Sequence, residues 1–309
     1  MLAPAAAWLL LAAFWIWRMD RANSRWHHYL YPVLPLLVVV VHSLLPEAGR
    51  QIAAGYLANG LTLWALLTAV WLLSLIKRDA SIMDIVYPLA PLVAIVVQWR
   101  IAGGELAPRT LLVLGLTALW ALRLSIYIAW RYLPHGEEVR YAKWRARHGA
   151  GWWWWSYFQI FLAQAVIVWI WTLPLYFATA ADTPLGPVDA LAALIWLAGF
   201  VFEAGGDWQM VRFKRNAANK GKVMDRGLWA LTRHPNYFGE ALTWLSFFVL
   251  ALAHPWGWLS LPCPLYVIWF MSRGSAASMT ERYMAKSKPG YADYMAKTPA
   301  FFPRLWKRA

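Results

Sequence analysis

Gly55–Tyr56–Leu57–Ala58–Asn59–Gly60–Leu61–Thr62–Leu63–Trp64–Ala65–Leu66–Leu67–Thr68–Ala69–Val70–Trp71–Leu72–Leu73–Ser74–Leu75–Ile76 carries no Asp, Glu, Lys or Arg, and the next two residues are Lys77 and Arg78. A transmembrane helix needs about 20 mainly apolar residues. This stretch meets that need, and the cations that end it mark a membrane face, because cytoplasmic loops carry surplus Lys and Arg. The same reading, carried outward, predicts spans near 4–17, 29–46, 54–76, 81–98, 110–130, 154–178, 187–210, 237–254 and 257–272. The basic loops test the count. Arg18, Arg21 and Arg25 share one side with Lys77 and Arg78. So do Arg131, Arg140, Lys143, Arg145 and Arg147, then Arg212, Lys214, Arg215, Lys220, Lys222, Arg226 and Arg233, and finally the tail after 272. The loops between them are poor in cations. The alternation predicts an all-α, polytopic membrane bundle of about nine helices, with the N-terminus outside and the C-terminus cytoplasmic.

Composition agrees. Of the 309 residues, 61% are hydrophobic and 14% charged, against roughly 25% charged in soluble domains. Such a chain has too much apolar surface for a soluble fold of this size. The 24 Trp residues suit membrane interfaces, where one end of the ring is apolar and the other wet. A net charge of +14 would suggest nucleic acid in a soluble protein, but here it sits in short loops and serves topology. No nucleic acid partner is expected. The first stretch lacks a positive n-region and a clear cleavage site, so it reads as a short span rather than a signal peptide. Cys263 is the single cysteine, which excludes an intramolecular disulfide and any multi-cysteine metal site. No metal is expected, and His27 and His28 read as interfacial. Without a repeat, linker or soluble segment, 1–309 reads as one membrane domain, with 1–76 as N-terminal helices and 77–309 as a core.

Ionisable residues at membrane depth are costly, and so are functional candidates. Asp84, in Ser81–Ile82–Met83–Asp84–Ile85–Val86–Tyr87, is either a helix-start acid favoured by the macrodipole or a working acid. Arg123 lies well inside the fifth span, with Trp120 and Tyr127 on its face; it calls for a buried partner or an anion. Glu203 and Asp207 stand at i and i+4 and repel unless a cation or a polyol meets them. Gly205 and Gly206 between them suit close approach, to another helix or to a ligand. The richest stretch is Lys222–Val223–Met224–Asp225–Arg226–Gly227–Leu228–Trp229–Ala230–Leu231–Thr232–Arg233–His234–Pro235–Asn236–Tyr237–Phe238–Gly239–Glu240. Pro235 is a favoured helix start. Asn236, Glu240 and Trp244 then recur at i+4 on one face. Arginines at a helix N-terminus suit phosphate, so the loop reads as built for an anionic, amphipathic cofactor. No Walker loop and no strand-borne G-x-G-x-x-G is present, so a nucleotide would be held without a Rossmann fold.

Arg233–His234–Pro235–Asn236–Tyr237–Phe238–Gly239–Glu240, with Gly227–Leu228–Trp229 before it and Lys288–Pro289–Gly290–Tyr291 after it, resembles the steroid 5-alpha-reductase superfamily, most closely its bacterial branch. The resemblance covers roughly residues 80–303 and implies a seven-helix core with two added N-terminal helices, in a bacterial inner membrane. The R-H-P-x-Y element alone also occurs in isoprenylcysteine and phospholipid methyltransferases; the Asn-x-x-Gly-Glu continuation favours the reductases. The family implies NADPH as cofactor and hydride transfer to the beta carbon of an enone. By position, Asn236 and Glu240 match residues around the nicotinamide, with His234 and Tyr237 beside them in the motif. Asp207 and Glu203 match residues that meet the cofactor's polar groups. Lys214, Lys222 and Arg273 fall on basic cofactor contacts, Arg123 on an arginine near the phosphates, and Trp244 faces the substrate. Asp84 falls near the glutamate that polarises the substrate carbonyl. The tyrosine that partners that glutamate falls on Trp120, which leaves Tyr87 and Tyr127 as candidate substitutes. A family histidine falls on Ala277, and a family tyrosine on Glu281.

These readings give an NADPH-dependent oxidoreductase acting on a flat, steroid-like lipid, working as a monomer. Two rivals stand beside it: a lipid methyltransferase using S-adenosylmethionine, and a non-catalytic lipid-binding protein.

Overall fold

The computed structural model describes residues 2–19, 26–273, 281–282 and 284–304. Arg21, Arg25 and Ala277 lie outside the described residues. Among the described residues every regular element is a helix. Bilayer physics demands this or a closed barrel, because only then are backbone N–H and C=O groups paired without water. Among the described residues, four helices are long and apolar enough to cross a membrane: Glu47–Lys77, Pro108–His135, Val139–Trp171 and Pro187–Arg215. Shorter apolar helices cover Ala6–Arg18, Leu34–Leu44 and Leu89–Ile101. The chain is an integral membrane protein with an all-helical fold.

Helix boundaries depart from the hydropathy reading where Pro, Gly or a basic amphipathic segment intervenes. The stretch expected as one span over 81–98 is Ile82–Val86 followed by Leu89–Ile101. Pro88 stands between them, with no N–H to donate and a ring that restricts the preceding residue. Asp84 therefore sits on a five-residue helix ahead of the longer one. The loop expected over 131–153 contains a basic helix, Val139–His148. Helical structure continues from it, through a π stretch at Tyr157–Leu162, to Trp171. Glu47–Lys77 is 31 residues long, about 46 Å at 1.5 Å per residue. It ends where Arg78 takes a left-handed conformation, φ 52°.

The chain forms two compact units, Met1–Ala107 with Leu114–Tyr176, and Pro108–Val113 with Phe177–Ala309. In the first, Trp15, Leu67, Met83, Phe161 and Leu162 are almost wholly buried and form the centre of the core. In the second, helices Pro187–Arg215 and Pro235–Ala251 press together at two glycines. A Cβ on Gly239 would lie 2.5 Å from Gly199 O and from Glu203 N. One on Gly199 would lie 2.7 Å from Gly239 O. Only a residue without a Cβ lets the two backbones come this close.

Candidate functional site

The glycine contact determines where the acids of the second unit go. Glu203 follows Gly199 by one turn, and Glu240 adjoins Gly239, so the close approach draws both carboxylates inside. Glu203, Asp207, Glu240 and His234 are all buried. A carboxylate costs several kcal/mol to bury unless hydrogen bonds or opposite charge meet it, and a concentration of buried acids in one place is a mark of functional sites. Asn236 and Tyr237 are half-buried on the same helix start, and Trp244, two turns on, is fully buried. Gly205 and Gly206 resolve to packing: a Cβ on Gly206 would meet Pro235 at 3.1 Å, and Gly206 O accepts the Trp229 indole N–H at 2.9 Å.

Leading into Pro235, the loop folds back on the 187–215 helix. Gly227 has φ 59°, and its backbone passes Gln209 so closely that a Cβ would collide with it at 2.6 Å. Gln209 Oε1 accepts the next amide, Leu228 N–H, at 3.0 Å. The loop is then stitched to the C-terminal segment. Arg233 N–H donates to Pro299 O at 2.9 Å, and Arg304 N–H to Leu231 O at 2.9 Å. Thr232 Oγ1 donates to Phe301 O at 2.9 Å and Tyr294 Oη to Trp229 O at 2.6 Å. Arg233 directs Nη1 to Met295 O and Thr298 O at 3.0 and 2.8 Å, and Nε to Glu281 Oε1 at 2.8 Å. The same Glu281 oxygen meets His234 Nε2 at 3.1 Å, and the imidazole lies flat against Tyr237, with centroids 5.1 Å apart. Hydrogen bonding to His234, and then to Arg233, holds the Glu281 carboxyl down at about 2, against the opposing effect of its partial burial. Arg233 thus serves as a clamp on the C-terminal segment, whereas its place in the sequence suggested phosphate. Glu281 was legible only as a departure from the family pattern, since nothing local ties it to a residue 47 positions earlier.

In the first unit the site residues gather differently. Asp84 Oδ1 accepts the Tyr141 hydroxyl at 2.6 Å, and Asp84 Oδ2 accepts Arg140 Nη2 at 2.9 Å. The tyrosine on Asp84 is therefore Tyr141, on the helix read as a loop, and no sequence signal linked the two. Glu137 stands nearby in the cluster, accepting Ala80 N–H at 2.8 Å and two bonds from Arg145. Trp120 is buried, while Arg123 and Tyr127 are half-buried one turn apart, the guanidinium 5.7 Å from the Tyr127 ring centroid. Tyr87 is half-buried one turn after Asp84. Lys214 and Arg273 are exposed at the ends of their helices, and Lys222 is exposed in the loop that leads to Gly227. Among the described residues, no group of three or more His, Cys, Asp or Glu gathers as a metal site would require.

The protein family of unknown function DUF1295 matches residues 70–298. The chain belongs to the DUF1295 family. That family lies within the steroid 5-alpha-reductase-like superfamily, in accord with the motif at 233–240. Three curated relatives bracket the DUF1295 chain. It is 27% identical over 271 residues to the uncharacterized protein C594.04c of Schizosaccharomyces pombe, covering 76% of each chain. It is 29% identical over 125 residues to the probable O-methyltransferase ustE of Ustilaginoidea virens, covering 40% of this chain and 42% of that one. It is 31% identical over 102 residues to the steroid 5-alpha-reductase DET2 of Arabidopsis thaliana, covering 33% and 37%. The last two matches span less than half of the relatives' own lengths.

Proposed function

We propose that this protein uses NADPH to reduce the carbon–carbon double bond of an enone in a lipid, with a 3-oxo-4-ene steroid as substrate and the 5-alpha-reduced steroid as product. The carrying observation is the burial of Glu203, Asp207, Glu240 and His234 around a glycine-mediated helix contact, inside the stretch matched by the family. The donor set fits the cofactor. Buried carboxylates accept hydrogen bonds, and a nicotinamide carboxamide and ribose hydroxyls supply donors. In this reading Glu203, Asp207, Asn236, Tyr237 and Glu240 hold the polar groups, and Trp244 lines the substrate. Lys214, Lys222, Arg273 and Arg123 meet the phosphates. NADPH, when bound, supplies a hydride from C4 of its nicotinamide.

Asp84 and Tyr141 take the carbonyl role in this reading. As hydride adds to the beta carbon, the double-bond electrons move onto the ketone oxygen, and the enolate then takes a proton at the alpha carbon. With its carboxyl protonated, Asp84 donates to Tyr141 Oη and frees the single phenol hydrogen for that oxygen, and such a donor is worth on the order of 10²–10³ in turnover. Tyr87, Trp120 and Tyr127 remain candidate contributors beside the pair. The topology proposed with this activity puts the C-terminus in the cytoplasm of a bacterial cell, with the protein in the inner membrane and NADPH arriving from the same side.

The similarity to a probable O-methyltransferase supports a second reading, S-adenosylmethionine-dependent methyl transfer to a lipid. The two readings separate on a phosphate. Arg273→Ala should weaken NADPH binding far more than NADH binding, since charge-assisted contacts to the 2′-phosphate are worth about 1.5–3 kcal/mol. Equal loss for both dinucleotides removes Arg273 from the phosphate, and tight binding of S-adenosylmethionine to the purified protein overturns the reductase reading.

A further inference from the structure

A cavity of about 240 Å³ lies wholly within the first unit, walled by helices Leu2–Arg18, Leu34–Leu44, Glu47–Lys77 and Ala163–Trp171. Most of its wall comes from residues 8–64, before the 70–298 stretch matched by the family, so it is a feature of this chain's N-terminal helices. Apart from tryptophans, every lining side chain is aliphatic, proline or glycine. The three lining tryptophans have their N–H groups committed elsewhere. Trp8 donates to Pro32 O, Trp64 to Tyr157 Oη and Trp169 to Tyr56 O, each at 2.8 Å. The cavity therefore meets their rings and offers water no side-chain donor or acceptor. A water needs two to four polar partners to stay in a cavity, and an apolar one stays dry and takes up hydrocarbon.

Small residues create the space. Ala58 lines one side and Ala165 another. Gly60 lets the Trp169 indole seat against the helix, since a Cβ there would lie 2.8 Å from the ring. By the measure that a void of about 150 Å³ takes one benzene, this one holds about ten carbons, too few for the four fused rings of a sterol and enough for part of an acyl tail. The mouth is continuous with an apolar outer surface on which Leu37, Val40 and Leu61 are about half exposed, the surface an integral membrane protein turns to lipid.

We propose that this cavity binds one acyl tail of a bilayer phospholipid, held between the two N-terminal helices and the 47–77 and 163–171 helices. The site is separate from the proposed reductase chemistry, and its test does not depend on activity.

The full-length protein is reconstituted in vesicles of phosphatidylcholine whose tails carry a mid-chain diazirine, irradiated, digested and mapped by mass spectrometry. The expected result is crosslinking at the inward residues Leu57, Ala58 and Val166 as well as at outward Leu37 and Val40. The double substitution Ala58→Phe, Ala165→Phe should abolish the inward crosslinks and leave the outward ones. Crosslinks confined to outward residues overturn the proposal, as do inward crosslinks that survive filling. Equal labelling of the inward residues by a water-soluble diazirine overturns it too, because the cavity would then be wet. If the double variant does not fold, the native map and the water-soluble control still decide the question.

Discussion

Gly239→Ala probes the contact on which the second unit's acids depend. The new Cβ would lie 2.5 Å from Glu203 N and from Gly199 O, and 2.8 Å from Glu203 Cβ, where ordinary contact begins near 3.4 Å. Two of these three atoms are backbone, so no side chain can swing aside, and the helices must part by about 1 Å. Overpacking of this kind costs about 1–3 kcal/mol. Displacing positioned groups by about 1 Å can cost on the order of 10²-fold in rate. Gly239→Ala should therefore lower the unfolding midpoint in nanodiscs and, in the reductase reading, cut NADPH-dependent turnover about a hundredfold. Gly115→Ala is the internal comparison, because a Cβ there meets nothing within 4 Å. It should stabilise by about 0.4–1 kcal/mol by removing freedom from the unfolded chain. A Gly239→Ala protein with the native midpoint and native turnover would refute the close-contact argument.

Arg109 and Asp189 form a buried bidentate pair at 2.9 and 2.7 Å, with Arg109 also bonded to Thr183 and to Pro184 O. Asp189→Ala should cost about 3–5 kcal/mol by stranding the guanidinium, read as a lowered midpoint, whereas Arg109→Met with Asp189→Leu should cost much less. Glu281→Gln should loosen the C-terminal segment from the 222–234 loop, read as faster proteolysis within 284–304. Because the folded Glu281 carboxyl lies at about 2, below its value in the unfolded chain, its stabilising effect is present at neutral pH. It is lost as pH falls from the ordinary glutamate range toward 2, so native and Glu281→Gln proteins should converge in protease resistance at the acid end. Asp84→Ala and Tyr141→Phe should each abolish or sharply reduce enone reduction with NADPH affinity nearly unchanged, and Asp84→Asn should retain part of the activity. If NADPH affinity falls instead, Asp84 belongs with the cofactor.

The membrane character and the helical fold were legible in the sequence because both follow from local composition. An uncharged run as long as 54–76 matches a spanning helix of about 20 residues and is about twice the length of a barrel strand. Boundaries were less legible, for local reasons of another kind. Pro88 divides a continuous apolar run, and the basic segment 139–148 is helical although its charge reads as loop. The motif 233–240 pointed to the right family, and Gly239 and Glu240 were in plain view. What escaped were pairings between distant positions: Tyr141 and Arg140 on Asp84, Glu281 on Arg233 and His234, and Gly199 against Gly239. Each depends on tertiary packing that no spacing rule encodes. Arg233 is the instructive case, since its place at a helix start suits phosphate while its guanidinium binds Glu281 and two carbonyls.

The most direct test of the reductase reading follows the hydride. The purified protein in nanodiscs is given NADPH deuterated at C4 of the nicotinamide, in each stereochemical form separately, together with a 3-oxo-4-ene steroid, and the product is analysed by mass spectrometry. The account predicts a 5-alpha-reduced steroid carrying one deuterium at the beta carbon from one of the two forms, with a solvent proton at the alpha carbon. Unreduced steroid alongside methyl transfer from S-adenosylmethionine to a lipid would contradict it.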